Sequence, residues 1–383
     1  VGGKGIPKPW SHEAVVGSSF TAPPYTGWYD LTVHSGEGEG FALTTASVYW
    51  EAPVGERLVE LGIHPAPKEI ELRDGKPFRL DSNATLCIND QALKWSETWF
   101  KREMHRLTKI DVNSGCDEAN IHFLLQPDAE IPKQGFRIET SRETITLIAA
   151  EPQGALYGAM ALSEWIGLDA VAPAAMVRDW PTVATRTLFH HAVPNAGGMV
   201  RMEDTKAFIE NVVARGRYNM LVLSLTGAMQ LPSRPELVRK DAWTNQELQS
   251  VLDLAEQYGI EVIPAINSPA HSAWLVRAYP ELAAEGAGNL LCMQHPNTRP
   301  LLRDLYQDVY TAFRQPRFIH IGHDEIRFRT KWKHEEQRCE RCDGTPRWRL
   351  LEEDLIWNHE VLTSMGTRPM LWSDMLVKQW NGG

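Results

Sequence analysis

Five short apolar runs alternate with helical segments through the second half of the chain, and this alternation constrains the fold more than any other feature. Each run is short enough to be a buried parallel strand. The predicted strands are Thr187 to His191, Asn219 to Leu225, Glu261 to Ile266, Phe318 to Gly322 and Met370 to Leu376. Parallel strands joined by surface helices form either an open doubly wound sheet or a closed barrel.

The closed barrel is favoured because no glycine-rich phosphate-binding loop, GxGxxG or GxxxxGK(S/T), follows any of these strands. The predicted fold class is therefore α/β, a (β/α)8 TIM-type barrel of which this sequence holds the first five units. The clearest helix runs from Thr244 to Tyr258. Thr244 and Glu247 form a capping box at its start, and Gly259 ends it.

The chain ahead of the barrel divides into two parts. Residues 1–61 are predicted to be an irregular or β-rich extension, and residues 62–180 a small α+β domain. The predicted elements of that domain are a hairpin that turns at Asp74-Gly75, two strands between Gln134 and Ala149, and a helix from Gly154 to Ile166. Pro181 denies helical backbone to the residue before it, so we assign residues 181–383 to the barrel.

The composition argues against two classes of protein. The formal charge is -10, and no basic stretch is interleaved with aromatic residues, which disfavours a nucleic-acid partner. No run reaches the roughly 18 apolar residues that a membrane span requires. The five cysteines lack the dense spacing of a disulfide-stabilised miniprotein, so secreted, periplasmic and cytoplasmic locations stay open.

An adjacent pair of carboxylates, Asp324 and Glu325, follows the fourth predicted strand. Catalytic groups of such barrels lie at the carboxyl ends of the strands. Neighbouring carboxylates repel each other in a pocket of low dielectric, so one tends to stay ionised while the other holds its proton to higher pH. This division suits an acid beside an anionic stabiliser. Both can reach one substrate only if the chain leaves the regular pleat, because a strand points neighbouring side chains to opposite faces. The alternative is that Asp324 caps a helix and Glu325 forms a salt bridge with a following arginine.

A series of motifs, in the same order, resembles glycoside hydrolase family 20, the β-N-acetylhexosaminidases. His320-Ile321-Gly322-His323-Asp324-Glu325 is similar to the family's H-x-G-G-D-E, and Asn267-Ser268-Pro269-Ala270-His271 to its D-x-P-G-H. Further matches are Leu291-Cys292 with Asn297-Thr298, Pro264, Tyr279-Pro280-Glu281-Leu282, and Arg186 before Thr187-Leu188. Residues 62 to 179 resemble the α+β domain that precedes the barrel in that family.

The resemblance implies removal of terminal 2-acetamido sugars from a glycan, with the sugar's own acetamido oxygen attacking the anomeric carbon. It implies that Glu325 is the general acid, that Asp324 orients the acetamido group, and that His271 supports the acid. The expected substrate-binding residues are Arg186, Trp372, Asp374 and His323. For Trp372, the implied role is a wall of the acetamido pocket, and the alternative is packing inside the barrel.

The sequence departs from the family pattern at two places. The family's second strand ends in W-H-x-x-D, whereas this chain has Leu223-Ser224-Leu225-Thr226-Gly227-Ala228, without the aspartate that orients the supporting histidine. His323 replaces a glycine and adds a titratable ring beside the carboxylates. These departures motivate two alternatives, a barrel that binds sugars without cleaving them and a glycosidase of divergent specificity.

A short cysteine motif follows the carboxylate pair. His334, Cys339 and Cys342 combine Cys-x2-Cys spacing with a nearby histidine, a set that can hold zinc if about four ligands are available. The fourth ligand is not evident from the sequence, and a disulfide or reduced thiols are the alternative. No other cofactor is expected.

Overall fold

The computed structural model describes residues 63–192, 200–284, 288–326, 341–342 and 344–376, together with the backbone of three strands nearer the start of the chain. Those strands are β1 (Ser11–Val15), β2 (Gly27–His34) and β3 (Leu43–Trp50). They form one sheet, in which β1 is parallel to β2 and β2 is antiparallel to β3. All three lie within residues 1–61, the part of the chain that was expected to be irregular or β-rich.

The next part of the chain forms a seven-stranded sheet with two helices packed against it. The strands of this region are β4 (Glu69–Leu72), β5 (Phe78–Arg79), β6 (Thr85–Ile88), β7 (Asn113–Ser114), β8 (Ile121–Leu125), β9 (Phe136–Thr140), β10 (Ile145–Ala149), β11 (Val171–Ala172) and β12 (Ala175–Asp179). The sheet has the order β4-β12-β9-β10-β8-β6-β7, and β5 pairs separately with β11. The two strands predicted between Gln134 and Ala149 are confirmed as β9 and β10, which are antiparallel neighbours.

The helices of this region are α1 (Lys94–Thr108) and α2 (Pro152–Ile166). Helix α2 confirms the predicted helix over Gly154 to Ile166, and it lies very close to the sheet. A Cβ at Gly154 would lie 2.1 Å from the carbonyl oxygen of Gly135, and a Cβ at Gly158 would lie 2.3 Å from Leu147 Cδ1. The two glycines on one helix face therefore permit a spacing that larger residues would prevent.

The predicted hairpin around Asp74-Gly75 is wrong. Strand β4 pairs with β12, and β5 pairs with β11, so the two strands on either side of the turn belong to different sheets. The physical reason is that the later segment Val171–Asp179 runs antiparallel past both strands. It offers each of them a ladder partner, which local turn chemistry alone does not reveal.

A disulfide joins Cys87 in β6 to Cys116, just after β7. The two cysteines are 29 positions apart in the sequence. Their pairing became apparent only from the fold, because β6 and β7 are parallel neighbours at the edge of the sheet.

The remainder of the chain contains a wholly parallel sheet whose strands lie side by side in sequence order. Its strands are β13 (Thr187–His191), β14 (Met220–Ser224), β15 (Glu261–Ser268), β16 (Phe318–Gly322) and β17 (Arg368–Met370). Every neighbouring pair is parallel. The first four predicted strands are confirmed to within two residues at each end. Parallel strands in sequential order are the arrangement found in (β/α) barrels.

The fifth strand differs from the prediction. The apolar run Met370 to Leu376 was expected to be a strand, but β17 ends at Met370, and Asp374–Leu376 form a short 3-10 helix. The neighbouring strand β16 ends at Gly322, whose φ of 78° turns the chain away from the sheet. The last ladder pair is His320 with Met370; the backbone N–H of Trp372 still donates to the carbonyl oxygen of Gly322 at 3.0 Å, and the apolar run then continues as a turn.

The helices that alternate with these strands are α3 (Met202–Phe208), α4 (Asn245–Gln257), α5 (Ala273–Ala278), α6 (Thr298–Ala312) and α7 (Arg347–Ser364), and a π-helical segment, Ile209–Ala214, continues α3. The predicted capping box of α4 is present, with Thr244 and Glu247 each accepting a hydrogen bond from the other's backbone N–H. Within the parts of the chain that the structure describes, no helix is long and apolar enough to cross a bilayer.

Candidate active site

The backbone turns sharply where β16 ends. Gly322, His323 and Glu325 have φ values of 78°, 64° and 47°, all in the left-handed region. A chain in this conformation has left the regular pleat, so successive side chains no longer point to opposite faces. The condition under which Asp324 and Glu325 can reach one substrate is therefore met.

Asp324 and Glu325 both lie beside the imidazole of His271, which follows β15. His271 Nε2 is 3.3 Å from Asp324 Oδ2 and 3.8 Å from Glu325 Oε2. All three side chains are partly open to solvent, with exposed fractions of 26% for Asp324, 51% for Glu325 and 38% for His271. Groups from two strand ends that are distant in the sequence thus meet at one accessible point.

The electrostatics of this cluster favour a charged pair. The hydrogen bond with Asp324 raises the pKa of His271 above its usual 6.5, against the opposing effect of partial burial. Burial pushes the pKa of Asp324 upward, but the hydrogen bond and the charge of His271 bring it below its usual 3.8. An ionised Asp324 beside a protonated His271 is therefore stable at mildly acidic pH.

Two further histidines lie near the cluster, and neither of them was assigned a role in the site from the sequence. His191 is the last residue of β13, and burial followed by the charge of His271 lowers its pKa. Burial lowers the pKa of His320, in β16, to about 4, and its Nδ1 accepts the backbone N–H of Gly322 at 3.2 Å. The position of His191 at the carboxyl end of a barrel strand was the available signal.

The indole of Trp372 forms a side wall near these groups. Its ring lies 5.4 Å from that of Phe189 and 5.0 Å from that of His320, measured between centroids. Trp372 is 41% exposed and follows β17, the edge strand of the described sheet, so packing inside the barrel stays the alternative. A flat ring that is supported from behind and open in front is suited to stacking against a sugar, and the acetamido role stays a prediction.

Asp374 touches the backbone of the carboxylate pair. Its Oδ2 accepts a hydrogen bond of 3.0 Å from the backbone N–H of Glu325. The turn after β17 thus holds the segment after β16. This contact gives Asp374 a positioning role, while its predicted contact with substrate stays a prediction.

Comparison with known proteins assigns both parts of the chain to one family. The model for the catalytic domain of glycosyl hydrolase family 20 matches residues 219–381, and the model for domain 2 of the same family matches residues 60–180. The chain belongs to glycosyl hydrolase family 20. The resemblance noted from the sequence motifs is thereby confirmed.

Curated relatives of this family 20 chain are distant and longer. A β-N-acetylhexosaminidase of Cellulomonas fimi is 25% identical over 303 residues, which cover 70% of this chain and 60% of that protein. A β-hexosaminidase of Vibrio furnissii is 23% identical over 307 residues, covering 70% and 49%. The chain therefore spans about half to three fifths of the length of these relatives.

Solved structures show the same fold. The crystal structure of a family 20 exo-β-N-acetylglucosaminidase from Vibrio harveyi, in complex with N-acetylglucosamine, matches with a TM-score of 0.70 at 18% identity. The match covers 88% of this chain and 62% of that one. The likeness indicates a barrel-type catalytic domain preceded by a small domain.

The family resemblance placed Arg186 in the substrate site, and the structure does not bring it to the cluster around Asp324. Arg186 precedes β13, at the end of the sheet opposite to Asp324. Its guanidinium donates to the carbonyl oxygens of Arg217 and Val183, to Gln134 and to the hydroxyl of Tyr157. Its donors are thus used in joining the barrel to the α+β part of the chain.

His323, another residue predicted to bind substrate, is not brought to the accessible surface either. The His323 side chain is 2% exposed, and its Nε2 lies 2.9 Å from Oδ2 of Asp354 in α7, which is buried to the same degree. The left-handed backbone at His323 directs the ring into the core, away from the surface that Glu325 faces. Sequence proximity to the carboxylates did not determine this direction.

The zinc interpretation is only partly addressed by the structure. His334 and Cys339 lie outside the described residues. Cys342 is buried, and its Sγ lies 3.6 Å from that of Cys292, which is also buried. Among the described residues alone, no group of three or more potential ligands comes together. Zinc at this motif stays a prediction.

Proposed function

We propose that this family 20 chain carries the catalytic site of a glycoside hydrolase that removes terminal 2-acetamido sugars. The observation that carries the proposal is the convergence of Asp324 and Glu325 on Nε2 of His271, at the carboxyl ends of β15 and β16. Relatives named β-N-acetylhexosaminidase and β-hexosaminidase support the same substrate class.

The proposed reaction uses the substrate's own acetamido group as the nucleophile. Its carbonyl oxygen attacks the anomeric carbon, and the bond to the leaving oxygen breaks as Glu325 donates a proton to that oxygen. Asp324 accepts the acetamido N–H and stabilises the positive charge that develops on the nitrogen. Water then opens the cyclic intermediate, with the Glu325 carboxylate accepting the water's proton.

The surroundings suit these two roles. The low pKa of Asp324 keeps this group ionised, as a stabiliser of positive charge must be. Glu325 is the more exposed of the two carboxylates, at 51% against 26%, and can exchange protons with solvent and the leaving group. Trp372, whose ring contacts His320 in β16, supplies a flat apolar surface.

We also propose that strands β13 to β17 are the first five strands of a closed eight-stranded barrel. Their sequential order and uniformly parallel pairing support this architecture. Closure would surround the cluster of Asp324, Glu325 and His271 with further strand ends and give the sugar an enclosed pocket.

The test is hydrolysis of an aryl 2-acetamido-2-deoxy-β-glycoside by the full-length protein. We expect turnover that falls by several orders of magnitude in Glu325→Gln, while binding of the substrate persists. A thiazoline that mimics the cyclic intermediate should inhibit the wild type. The matched aryl β-glucoside, which lacks the acetamido group, should be a poor substrate because it has no internal nucleophile.

Two other results would assign a different function. Equal hydrolysis of the two aryl glycosides would indicate a glycosidase of divergent specificity, since the acetamido group would then make no difference. Sugar binding without hydrolysis of either would indicate a binding barrel. The absence of the W-H-x-x-D aspartate after β14 is the feature that favours this last alternative.

A further inference from the structure

His323 is an unusual residue for its position. Its φ of 64° is a conformation that glycine adopts without strain and that side-chain-bearing residues rarely adopt. A glycine occupies this position in the H-x-G-G-D-E pattern that the sequence resembles. Holding a histidine at this φ therefore costs free energy, and the contacts of its side chain must offset that cost.

The contact that His323 makes is with a buried carboxylate. Its Nε2 lies 2.9 Å from Oδ2 of Asp354, and each side chain is only 2% exposed. A carboxylate buried to this degree requires a partner, because removal from water without one is unfavourable. His323 and Asp354 thus depend on each other.

The pair belongs to a closed chain of polar contacts. Asn358 Nδ2 donates to Asp354 Oδ2 at 3.1 Å, and Tyr306 donates its hydroxyl to Asn358 Oδ1 at 2.7 Å. The Tyr306 hydroxyl is also 3.5 Å from Ser268 Oγ. The backbone N–H of His323 donates to the carbonyl oxygen of Ser268 at 3.1 Å, which closes the circuit.

This circuit connects the two segments that carry the proposed catalytic groups. Ser268 ends β15 and lies three positions before His271, and His323 lies directly before Asp324. Helices α6 and α7 supply Tyr306, Asp354 and Asn358 from behind the strands. The side chains of this circuit are buried, so its geometry is not loosened by exchange with water.

We propose that His323 is a positioning residue that, through Asp354, holds the Asp324-Glu325 segment in register with His271. This inference rests on the proposed function and extends it. Loss of the pair would let the carboxylates move relative to His271 and to each other, and displacement by about 1 Å can cost on the order of a hundredfold in rate.

The matched variants are His323→Leu and His323→Gln. Neither side chain is branched at Cβ, so both face a similar backbone cost at a positive φ. Leucine fills space without a donor, whereas glutamine places an amide N–H at a reach similar to that of Nε2. The difference between the two variants reports the contact with Asp354 rather than the strain or the volume.

In the full-length protein we expect His323→Leu to lower kcat roughly 10- to 100-fold with KM changed less than about threefold. His323→Gln should retain at least about ten times the kcat of His323→Leu. Asp354→Leu should resemble His323→Leu, and the double variant should be no worse than the more severe single one because the two residues act as a unit. Thermal unfolding of each variant gives the melting temperature against which these losses are judged.

An activity-independent measurement accompanies the kinetics. The imidazole of His271, followed by NMR, should titrate at lower pH in His323→Leu than in His323→Gln, because Asp324 would have moved away from it.

Separate outcomes overturn the inference and the proposed function. A wild type that hydrolyses the aryl 2-acetamido glycoside, with leucine and glutamine variants of equal kcat and equal His271 titration, would overturn the positioning role alone. Losses of kcat that merely follow the melting temperature in both variants would do the same. A wild type that neither hydrolyses the glycoside nor binds the thiazoline would overturn the proposed function, and the positioning role of His323 with it.

Discussion

The carboxylate of Asp374 accepts a hydrogen bond of 3.0 Å from the backbone N–H of Glu325. Asp374 begins the 3-10 turn after β17, and Glu325 follows β16. The turn after β17 therefore fixes the backbone of Glu325, the proposed general acid, which follows the neighbouring strand β16. The contact matters because Glu325 adopts a φ of 47°, which an unsupported glutamate rarely keeps.

Removal of this acceptor should impair turnover more than folding. We expect Asp374→Ala to lower kcat on the aryl 2-acetamido glycoside about 10- to 100-fold, because Glu325 loses its backbone anchor. Asp374→Asn is the matched control, since its amide oxygen can still accept the N–H, and it should retain most of the activity. Equal losses in both variants would indicate that the charge of Asp374, rather than this hydrogen bond, is what matters.

Gly322 should not tolerate a side chain. Its φ is 78°, and a Cβ there would lie 3.0 Å from Asn267 Oδ1 and 3.1 Å from Asn267 Cα, at the end of β15. We expect Gly322→Ala to lower the free energy of unfolding by about 1 to 3 kcal/mol and to reduce kcat, because strand ends β15 and β16 would be pushed apart. Chemical denaturation and kinetics measure the two effects.

Gly167 provides the control for that substitution. It has a φ of 59°, but a Cβ there would have its nearest neighbour at 3.5 Å, an ordinary contact. Gly167→Ala therefore carries the backbone cost without the clash and lies in the α+β part of the chain. If Gly167→Ala lowered the free energy of unfolding and kcat as much as Gly322→Ala does, the close approach to Asn267 would not be the cause of the losses in Gly322→Ala.

The charge of Asp324 should be visible in the titration of His271. The pKa of His271 lies above its usual 6.5 chiefly through its hydrogen bond with Asp324, so Asp324→Asn should lower it. A raised histidine pKa contributes stability that is complete below about pH 6.5 and is lost as the pH rises through the folded-state value. NMR of the imidazole checks the shift, and an unchanged titration in Asp324→Asn would contradict the pairing.

The Cys87–Cys116 disulfide should stabilise the α+β part of the chain. Its cysteines are 29 positions apart, and a loop of this size corresponds to roughly 3 to 4 kcal/mol in the chain-entropy account. We expect a reductant to lower the melting temperature of the wild type but not that of the Cys87→Ala/Cys116→Ala variant. A wild type indifferent to reductant would contradict the contribution.

Cys292 is a candidate fourth ligand for the zinc predicted at His334, Cys339 and Cys342. Two sulfurs bound to zinc at about 2.3 Å in a tetrahedron lie roughly 3.8 Å apart. The Cys292 and Cys342 sulfurs are 3.6 Å apart, far beyond a disulfide bond. We expect about one zinc ion per chain by elemental analysis, lost in Cys292→Ser and kept in the Cys87→Ala/Cys116→Ala variant. Metal-free protein purified without chelators would end this interpretation.

The sequence determined those features that depend on neighbouring residues. The apolar runs that became β13 to β16 were recognisable because buried parallel strands are short and continuously apolar. The start of α4 at Thr244 followed from a capping box that spans only four residues. The placement of Asp324 and Glu325 after a strand was likewise local, and the strand's direction placed them at its carboxyl end. For the same reason Arg186, which precedes β13, could have been assigned to the opposite end.

The tertiary structure alone decided which distant groups meet and which way a side chain points. The direction of His323 depends on a left-handed backbone and on Asp354, a partner 31 positions later in the sequence. The partners of β4 and β5 come from a segment about a hundred residues downstream, so a local turn signal suggested the wrong pairing. Contacts of this kind are set by the packing of whole elements, since the free energy of burying a polar or apolar group depends on everything that surrounds it.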